Sequence, residues 1–362
     1  MESRITNLFF ELIQISIGAK EGFDEVPSRN DWARLYDLAG KQSLISILIE
    51  GINKVPTLPQ NINKALLLEW IGLNQLTVSQ NQIQNKRAGE LCKLFKDGGF
   101  RCSILKGQGT ALYYNHPEYR QCGDIDVWVE GDRDDILGFL RKKGFKIGHV
   151  DIKHSDVELF EDVPVEVHFQ PSWMYCPFTN KKLLRYFENK SDAQFSNRDE
   201  RVNFTHTTID FDLVYSMVHI YRHIFSEGIG LRQLVDYYYI LHSSTVIQRG
   251  EAFNVLSQLR MKAFVGGIMW ILMKNFGMNI KYTLCPANER YGEVLLSEIM
   301  TAGNFGHSDN RYQHLEKSKR WRRGWIGLAR NYKYLRYFPE EVLWSPIWKL
   351  WHYYWRKKKN YL

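Results

Sequence analysis

Two aspartates spaced i, i+2 at the head of an apolar run, Asp124-Ile125-Asp126-Val127-Trp128-Val129, restrict this chain more than any other feature in it. In a β-strand, residues two apart point to the same side. Asp124 and Asp126 can therefore aim their carboxylate oxygens at one point. Like charges held that close repel, and a divalent cation relieves the repulsion. Mg²⁺ suits such a site, with Mn²⁺ as its stand-in, because it prefers oxygen ligands and bridges carboxylates to substrate phosphates. Fifteen residues before Asp124 ends a glycine-bearing turn, Leu105-Lys106-Gly107-Gln108-Gly109. Its glycines allow close backbone approach, and a helix following it offers free N–H groups to phosphate. Together the turn and the carboxylate pair point to metal-dependent chemistry on a nucleotide.

A third carboxylate extends the pattern. Val163-Pro164-Val165-Glu166-Val167-His168-Phe169 alternates apolar and polar, as a half-buried strand does. Glu166 and His168 share its polar face, and Val165 and Val167 face the core. If this strand lies beside the Asp126 strand, Glu166 joins the two aspartates. The aspartates would hold metals, while Glu166 takes a proton from an attacking hydroxyl or holds the metal that activates it. That is the two-metal logic of in-line phosphoryl or nucleotidyl displacement.

The order glycine turn, helix, D-h-D strand and later h-[D/E]-h strand, with h apolar, resembles the polymerase β-type nucleotidyltransferase superfamily. It is closer still to the bacterial uncharacterised nucleotidyltransferases. The residues that carry the likeness are Leu105-Lys106-Gly107, Arg120, Asp124-Ile125-Asp126 and Glu166-Val167-His168, followed by His219, His223, Arg232 and Asp236. The likeness covers about 95 to 240. It implies transfer of a nucleoside monophosphate from an NTP, with ATP the expected donor, to an acceptor hydroxyl, with release of pyrophosphate. Asp124 and Asp126 would hold two Mg²⁺ ions, Glu166 would complete the site, and Gly107, Gln108 and Gly109 would cradle the β/γ-phosphates. A sugar, a small antibiotic, a protein side chain or a nucleic-acid end would all serve as acceptor. The chain departs from the superfamily in two places. Its turn reads Gly107-Gln108-Gly109 where Gly followed directly by Gly or Ser is usual, and Glu166 is one methylene longer than the commoner Asp.

Other residues keep two readings. Lys106 contacts a phosphate or stands as a solvated charge on the strand face. Arg120 contacts the triphosphate or pairs with a carboxylate. His168 orients Glu166, contacts the nucleotide or simply packs. His219 and His223, four apart, share a helix face. With no close acidic third ligand for zinc, they pack or line the nucleotide cleft. Arg232 and Asp236 have the spacing of a simple helix ion pair.

A chain of 362 residues exceeds one small core, so two or three domains are expected. The expected class is α+β, a small mixed-sheet nucleotidyltransferase core flanked by N-terminal and C-terminal helical regions. The divisions are 1–99 (helical), 100–180 (core), 181–316 (helical) and 317–362 (a basic, aromatic-rich helical tail). Strands are predicted at 102–105, 126–130, 145–147, 157–160 and 165–169, with helices on one face. The last two would form a hairpin through Asp162-Val163-Pro164. Long helices are predicted at 63–97 and 252–276, and a short one at 110–114, while Ser28 and Asp31 are capping candidates. D-x-D also occurs in metal-dependent glycosyltransferases, but the mainly helical N-terminus argues against that fold.

Five scattered cysteines without a C-x-x-C read as reduced thiols rather than a disulfide frame or zinc site. The apolar N-terminus is interrupted by Glu11 and has no cleavage signal, so a cytoplasmic protein is expected. From Lys317 to Lys359, 13 Lys and Arg face only Glu340 and Glu341, a net of +11 that leaves −3 for the rest of a chain totalling +8. Basic and aromatic residues interleave there, in Lys319-Arg320-Trp321-Arg322-Arg323-Gly324-Trp325 and again in 348–359. Such a tail suits an anionic membrane surface, a nucleic-acid backbone, or packing of its aromatics on the core. Two rivals to the enzyme follow: a non-catalytic nucleotide-binding or scaffold module, and a protein that works through its tail on the inner membrane face or on RNA.

Overall fold

The computed structural model describes residues 2–226, 228–304, 332, 334–359 and 361, so the basic stretch 319–325 lies outside the described residues. The chain opens with helices α1 (Glu2–Ser16), α2 (Asp31–Lys41), α3 (Ile45–Lys54), α4 (Leu58–Asn61) and α5 (Lys64–Asp97). The core follows as β1 (Cys102–Leu105), α6 (Gly107–Ala111), β2 (Ile125–Val129), α7 (Arg133–Lys142), β3 (Lys146–Val150), β4 (His154–Glu158) and β5 (Val165–His168). Then come α8 (Pro177–Ser196), α9 (Ile209–Ser226), α10 (Leu231–Ser243), α11 (Val246–Gln258), α12 (Lys262–Phe276), α13 (Glu289–Ala302) and α14 (Pro339–Lys358). No helix among the described residues is long and apolar enough to cross a membrane. The five cysteines are free thiols.

The described strands form one mixed sheet in the order β1-β2-β5-β4-β3. Only β2 and β5 run parallel; the other neighbours are antiparallel, including the β4–β5 hairpin expected from the sequence. The alternation of side chains divides the sheet cleanly. Ile125, Val127, Val129, Val165 and Val167 bury one face against Ala88, Leu91 and Phe95 of α5 and Ile136 and Leu140 of α7. The other face carries Asp126, Trp128, Glu166 and His168. It too is covered, because the Trp128 ring packs on Phe195 of α8 and Phe211 of α9, at 4.6 and 5.8 Å between centroids. Helices on one face only was therefore half the picture, and the site lies in the gap that the second layer leaves open.

A second apolar cluster joins α1, α2 and α3 to α9, α10, α12 and α13, with Trp32, Trp70, Phe211 and Phe264 fully buried. Burying side chains of this size is worth about 1.5–3 kcal/mol each, which makes this cluster the frame on which α9 and α10 are held.

Local differences from the sequence reading have local causes. Residues 252–276 are two helices, because Arg260 takes a left-handed φ of 60° between them and a Thr245–Gln248 capping box starts α11 early. Helix α6 begins at Gly107, inside the glycine turn, three residues before the predicted start. Helix α5 covers the predicted span apart from Asn63, whose side chain caps it by accepting from the Ala65 N–H. Asp31 is the first residue of α2, and Oδ2 of its carboxylate accepts from the Ser28 N–H and hydroxyl at 2.8 and 2.7 Å.

Candidate active site

Strand β1 delivers the chain into a sharp turn. Lys106 takes φ 38° and ψ −148°, and Gly107 follows at φ 51°. A non-glycine residue in such a conformation costs on the order of 1–3 kcal/mol and persists where its surroundings over-determine it. Here the surroundings include Asp126, whose Oδ2 lies 2.9 Å from the Lys106 Nζ. Lys106 is thus turned towards the carboxylates and is not a solvated charge. The two glycines serve different needs. A Cβ at Gly107 would meet nothing nearer than the Asp124 carbonyl oxygen at 4.0 Å, so its requirement is the positive φ. Gly109 packs against His206, whose Cβ would lie 3.1 Å from an added methyl. Gln108 corrects an expectation. Its buried side-chain amide donates to the Asn81 and Asn85 side chains of α5, at 3.2 and 2.8 Å, so only its main chain is left for a cradle.

Register assembles the carboxylates. In the parallel β2–β5 pair, Asp126 stands directly opposite Glu166 and Trp128 opposite His168. Asp124 immediately precedes β2. Each of Asp124, Asp126 and Glu166 offers one oxygen, all within 4.8 Å of one another. Asp126 is buried, and its Oδ1 meets the His168 Nε2 at 2.9 Å; the same nitrogen lies 3.3 Å from Glu166.

The electrostatics follow from that crowding. The Asp126 charge, helped by burial, pushes the Asp124 carboxyl up to about 6. Burial also works against ionised Asp126, but Lys106 and His168 outweigh it and hold that carboxyl below its ordinary value. Glu166 is held well below the usual carboxylate range: burial opposes ionisation, and His168 and His154 overcome it. Burial pulls the Lys106 ammonium down, but Asp126 and Asp124 drive it well above its ordinary value. His168 is likewise raised, its hydrogen bonds to Asp126 and Glu166 overcoming burial. Three hard oxygen donors, one of them made reluctant to ionise by its neighbours, fit a divalent cation of the Mg²⁺ type.

Arg120 takes the pairing role, with Asp236 of α10 rather than with either aspartate of the cluster. Its Nε and Nη2 donate to the two Asp236 oxygens at 2.7 and 2.8 Å. Asp236 is therefore not the helix partner of Arg232. Arg232 Nη1 instead donates to the Gln121 carbonyl, and its buried Nε has no hydrogen-bond partner among the described residues. The His219 and His223 rings pack against each other at 4.3 Å between centroids, tilted by 53°. His219 is held well below its ordinary pKa by burial and the Lys106 charge, and lines the cleft.

Sequence reasoning missed several residues here. His154 of β4 pairs in register with His168, and His154, Glu166 and His168 form a second potential ligand cluster. On α5, the Asn81 amide donates to the carbonyls of Glu118 and Arg120 at 2.9 and 2.8 Å, and the Gln84 amide donates to the Gly123 carbonyl. These amides hold the loop that leads into Asp124. The helical spacing of Asn74, Thr77, Asn81 and Gln84 was the signal available for them.

Two cavities meet at a wall formed by Lys106, Asp124, Asp126 and His219. The one on the turn side, about 40 Å³, is also lined by Gly107, Thr110, Gly123 and Arg232. The other, about 490 Å³, opens on the Glu166 side between His154, Trp173 and Arg222. A family profile described as uncharacterised nucleotidyltransferase matches residues 28–277, more than half of the chain, and the chain belongs to that family. No individual curated protein matches it.

Proposed function

We propose that this nucleotidyltransferase-family chain moves a nucleoside monophosphate from an NTP, with ATP the expected donor, to an acceptor hydroxyl. The observation that carries the reading is the β2–β5 register, which brings Asp124, Asp126 and Glu166 within 4.8 Å of one another beside the Gly107 turn. Asp124, Asp126 and Glu166 would hold Mg²⁺ or Mn²⁺. Such an ion, when bound, lowers the pKa of the acceptor hydroxyl and neutralises charge on the phosphoryl oxygens. Glu166, held low by its imidazole neighbours, is a better ligand than proton acceptor. Lys106, held charged by Asp126, can meet the triphosphate from the strand side, and Gly107 with the main chain of Gln108 and Gly109 can approach it from the turn. Arg232, with an unused buried Nε on the turn side, is a candidate for the same task. His168 fixes Asp126 and Glu166 in place. The hydroxyl oxygen bonds to the α-phosphorus, the bond to the bridging oxygen breaks, pyrophosphate leaves and the proton passes to water.

The test is incubation of the protein with Mg²⁺ or Mn²⁺, each α-³²P-labelled NTP and cell extract, beside the Asp124→Ala/Asp126→Ala double variant. Label on an acceptor with the intact protein alone supports transfer. Metal-dependent NTP binding without transfer would favour the non-catalytic module, and neither would sink both readings.

The tail supports a second reading, compatible with the first. Leu343, Ile347, Leu350 and Tyr354 are 59, 57, 59 and 60 % exposed, and their spacing puts them on one side of α14 ahead of Lys357, Lys358 and Lys359. An apolar stripe with basic neighbours suits attachment to an anionic membrane surface, which for a cytoplasmic protein is the inner face. Co-sedimentation with phosphatidylglycerol vesicles, lost in Ile347→Glu/Leu350→Glu, would support it. Equal binding by the variant would end it.

A further inference from the structure

We infer that the 490 Å³ cavity is an acceptor site for a small molecule bearing an anionic group, a phosphate or a carboxylate, beside its nucleophilic hydroxyl. The inference rests on the transferase reading above and names the substrate class of the same site.

The size and position of the cavity come first. Small-molecule sites commonly span about 300–1,000 Å³, and this one shares Lys106, Asp124 and Asp126 with the turn-side cleft while adding Glu166. A hydroxyl entering on the Glu166 side would meet the carboxylate set from the face opposite the Gly107 turn. That is the disposition an in-line displacement needs.

Charge supplies the specificity. Three cations line the cavity, Lys106, Lys153 and Arg222. Lys106 is matched by Asp126 at 2.9 Å. Arg222 lies 3.4 Å from Glu341, with its guanidinium 3.7 and 3.8 Å from the ring centroids of Trp173 and Tyr175. The neighbouring acid, Asp151, is engaged by His352 at 2.8 Å. Lys153 differs from the others: its ammonium makes no hydrogen bond or ion pair among the described residues. Its backbone is nonetheless fixed, because its carbonyl accepts from the N–H groups of Phe169 and Gln170, at 2.7 and 3.3 Å, at the end of β5. Burial together with the Lys106 and Arg222 charges presses the Lys153 pKa down, although Glu166 and Asp151 pull the other way. A half-buried cation without a partner is unfavourable unless something pairs with it, and a ligand anion is that partner. His154, kept neutral by burial and by the Lys153 charge beside it, and the His149 side chain can hydrogen-bond further hydroxyls on the same molecule.

The experiment uses the full-length protein with Mg²⁺ and a saturating non-hydrolysable ATP analogue. Inorganic phosphate and acetate are titrated as probes by calorimetry. The wild type should bind at least one of them, and which one identifies the anionic group. Lys153→Met, which keeps the stem and removes the charge, should weaken that binding about tenfold or more. It should leave affinity for the analogue within about twofold, while Lys153→Arg should retain the binding. In the labelled-transfer assay, glycerol 3-phosphate should outperform glycerol, or lactate outperform propane-1,2-diol, and Lys153→Met should erase the preference. Absence of binding by either probe, binding unchanged in Lys153→Met, or an equal fall in analogue affinity would overturn the inference. The last of these would assign Lys153 to the nucleotide. Failure of the transferase reading looks different: neither NTP binding nor transfer by the wild type, with Lys153-dependent anion binding intact.

Discussion

Arg120 and Asp236 meet across 116 residues of sequence in a buried two-point ion pair, Nε on Oδ1 at 2.7 Å and Nη2 on Oδ2 at 2.8 Å. The Tyr114 hydroxyl adds a third bond to Oδ1 at 2.6 Å. The pair ties the loop ahead of Asp124 to α10, and so fastens the sheet to the helical layer that covers it.

Removing one partner leaves the other charge buried alone. Asp236→Ala should therefore destabilise the fold by about 3–5 kcal/mol, read as a shift in the denaturant midpoint at constant slope. Burial works against the Asp236 charge, but Arg120 holds its pKa below the unfolded value. Its contribution is present at neutral pH and is lost as pH falls through the folded-state pKa. The variant should lose less relative to wild type in strong acid than at pH 7. A variant as stable as wild type at pH 7 would contradict the assigned role.

Asp124 works with the opposite sign. Its carboxyl is pushed from an ordinary 3.8 up to about 6 by the Asp126 charge and by burial. The proton is bound more tightly in the folded state, so this contribution is complete below 3.8 and is lost as pH rises through 6. In the absence of divalent ions, Asp124→Asn should melt higher than wild type at pH 8, and the gap should close towards pH 5. Mn²⁺ should raise the wild-type melting temperature at pH 8 and have little effect at pH 5, because a proton then competes for the ligand. Melting curves insensitive to Mn²⁺ at pH 8 would remove the case for a metal at these carboxylates.

Gly107 and Gly109 should respond differently to a methyl group. Gly107→Ala has open space but a φ of 51°, so its cost is conformational, about 1–2 kcal/mol. Gly107→Asn should recover part of it, since Asn tolerates that region. Gly109→Ala must displace His206, and Asn there should be worse than Ala. Thermal denaturation of the four variants decides; the same ranking at both sites would be the wrong answer.

Asn81 touches none of the carboxylates, yet its amide holds the carbonyls of Glu118 and Arg120. Asn81→Ala should cost about 1–3 kcal/mol for the carbonyls left without a donor. It should also lower the transfer rate through the Asp124 loop. A fall in stability with kcat and KM unchanged would mean the loop holds its shape without α5.

The sequence carried the outline of this site through period. Alternation in 163–169 put Glu166 and His168 on one face, and the strand obeys it: Val165 and Val167 are buried in the core behind them. Local pattern could not supply the pairing of Asp126 with Glu166, because partners 40 residues apart are chosen by the packing of whole elements. His154 escaped because Ser155, rather than an apolar residue, fills the inward position of β4 at 0 % exposure, so hydropathy began that strand at Val157. The α5 amides escaped for a related reason. Apolar periodicity does not register a buried stripe of polar side chains, and their partners are main-chain carbonyls in a loop. The break at Arg260 had neither glycine nor proline to mark it.

The inner side of α14 has a consequence for how the tail can be studied. Trp348 stacks on Trp173 at 3.8 Å, Glu341 faces Arg222, and His352 binds Asp151, so this helix buttresses three residues that line the larger cavity. Cutting the chain at 317 would therefore strip the outer wall from that cavity as well as an arm from the surface. A truncated protein that fails to turn over would say nothing about membranes. Point changes on the outward stripe can separate anchorage from catalysis; shortening the chain cannot.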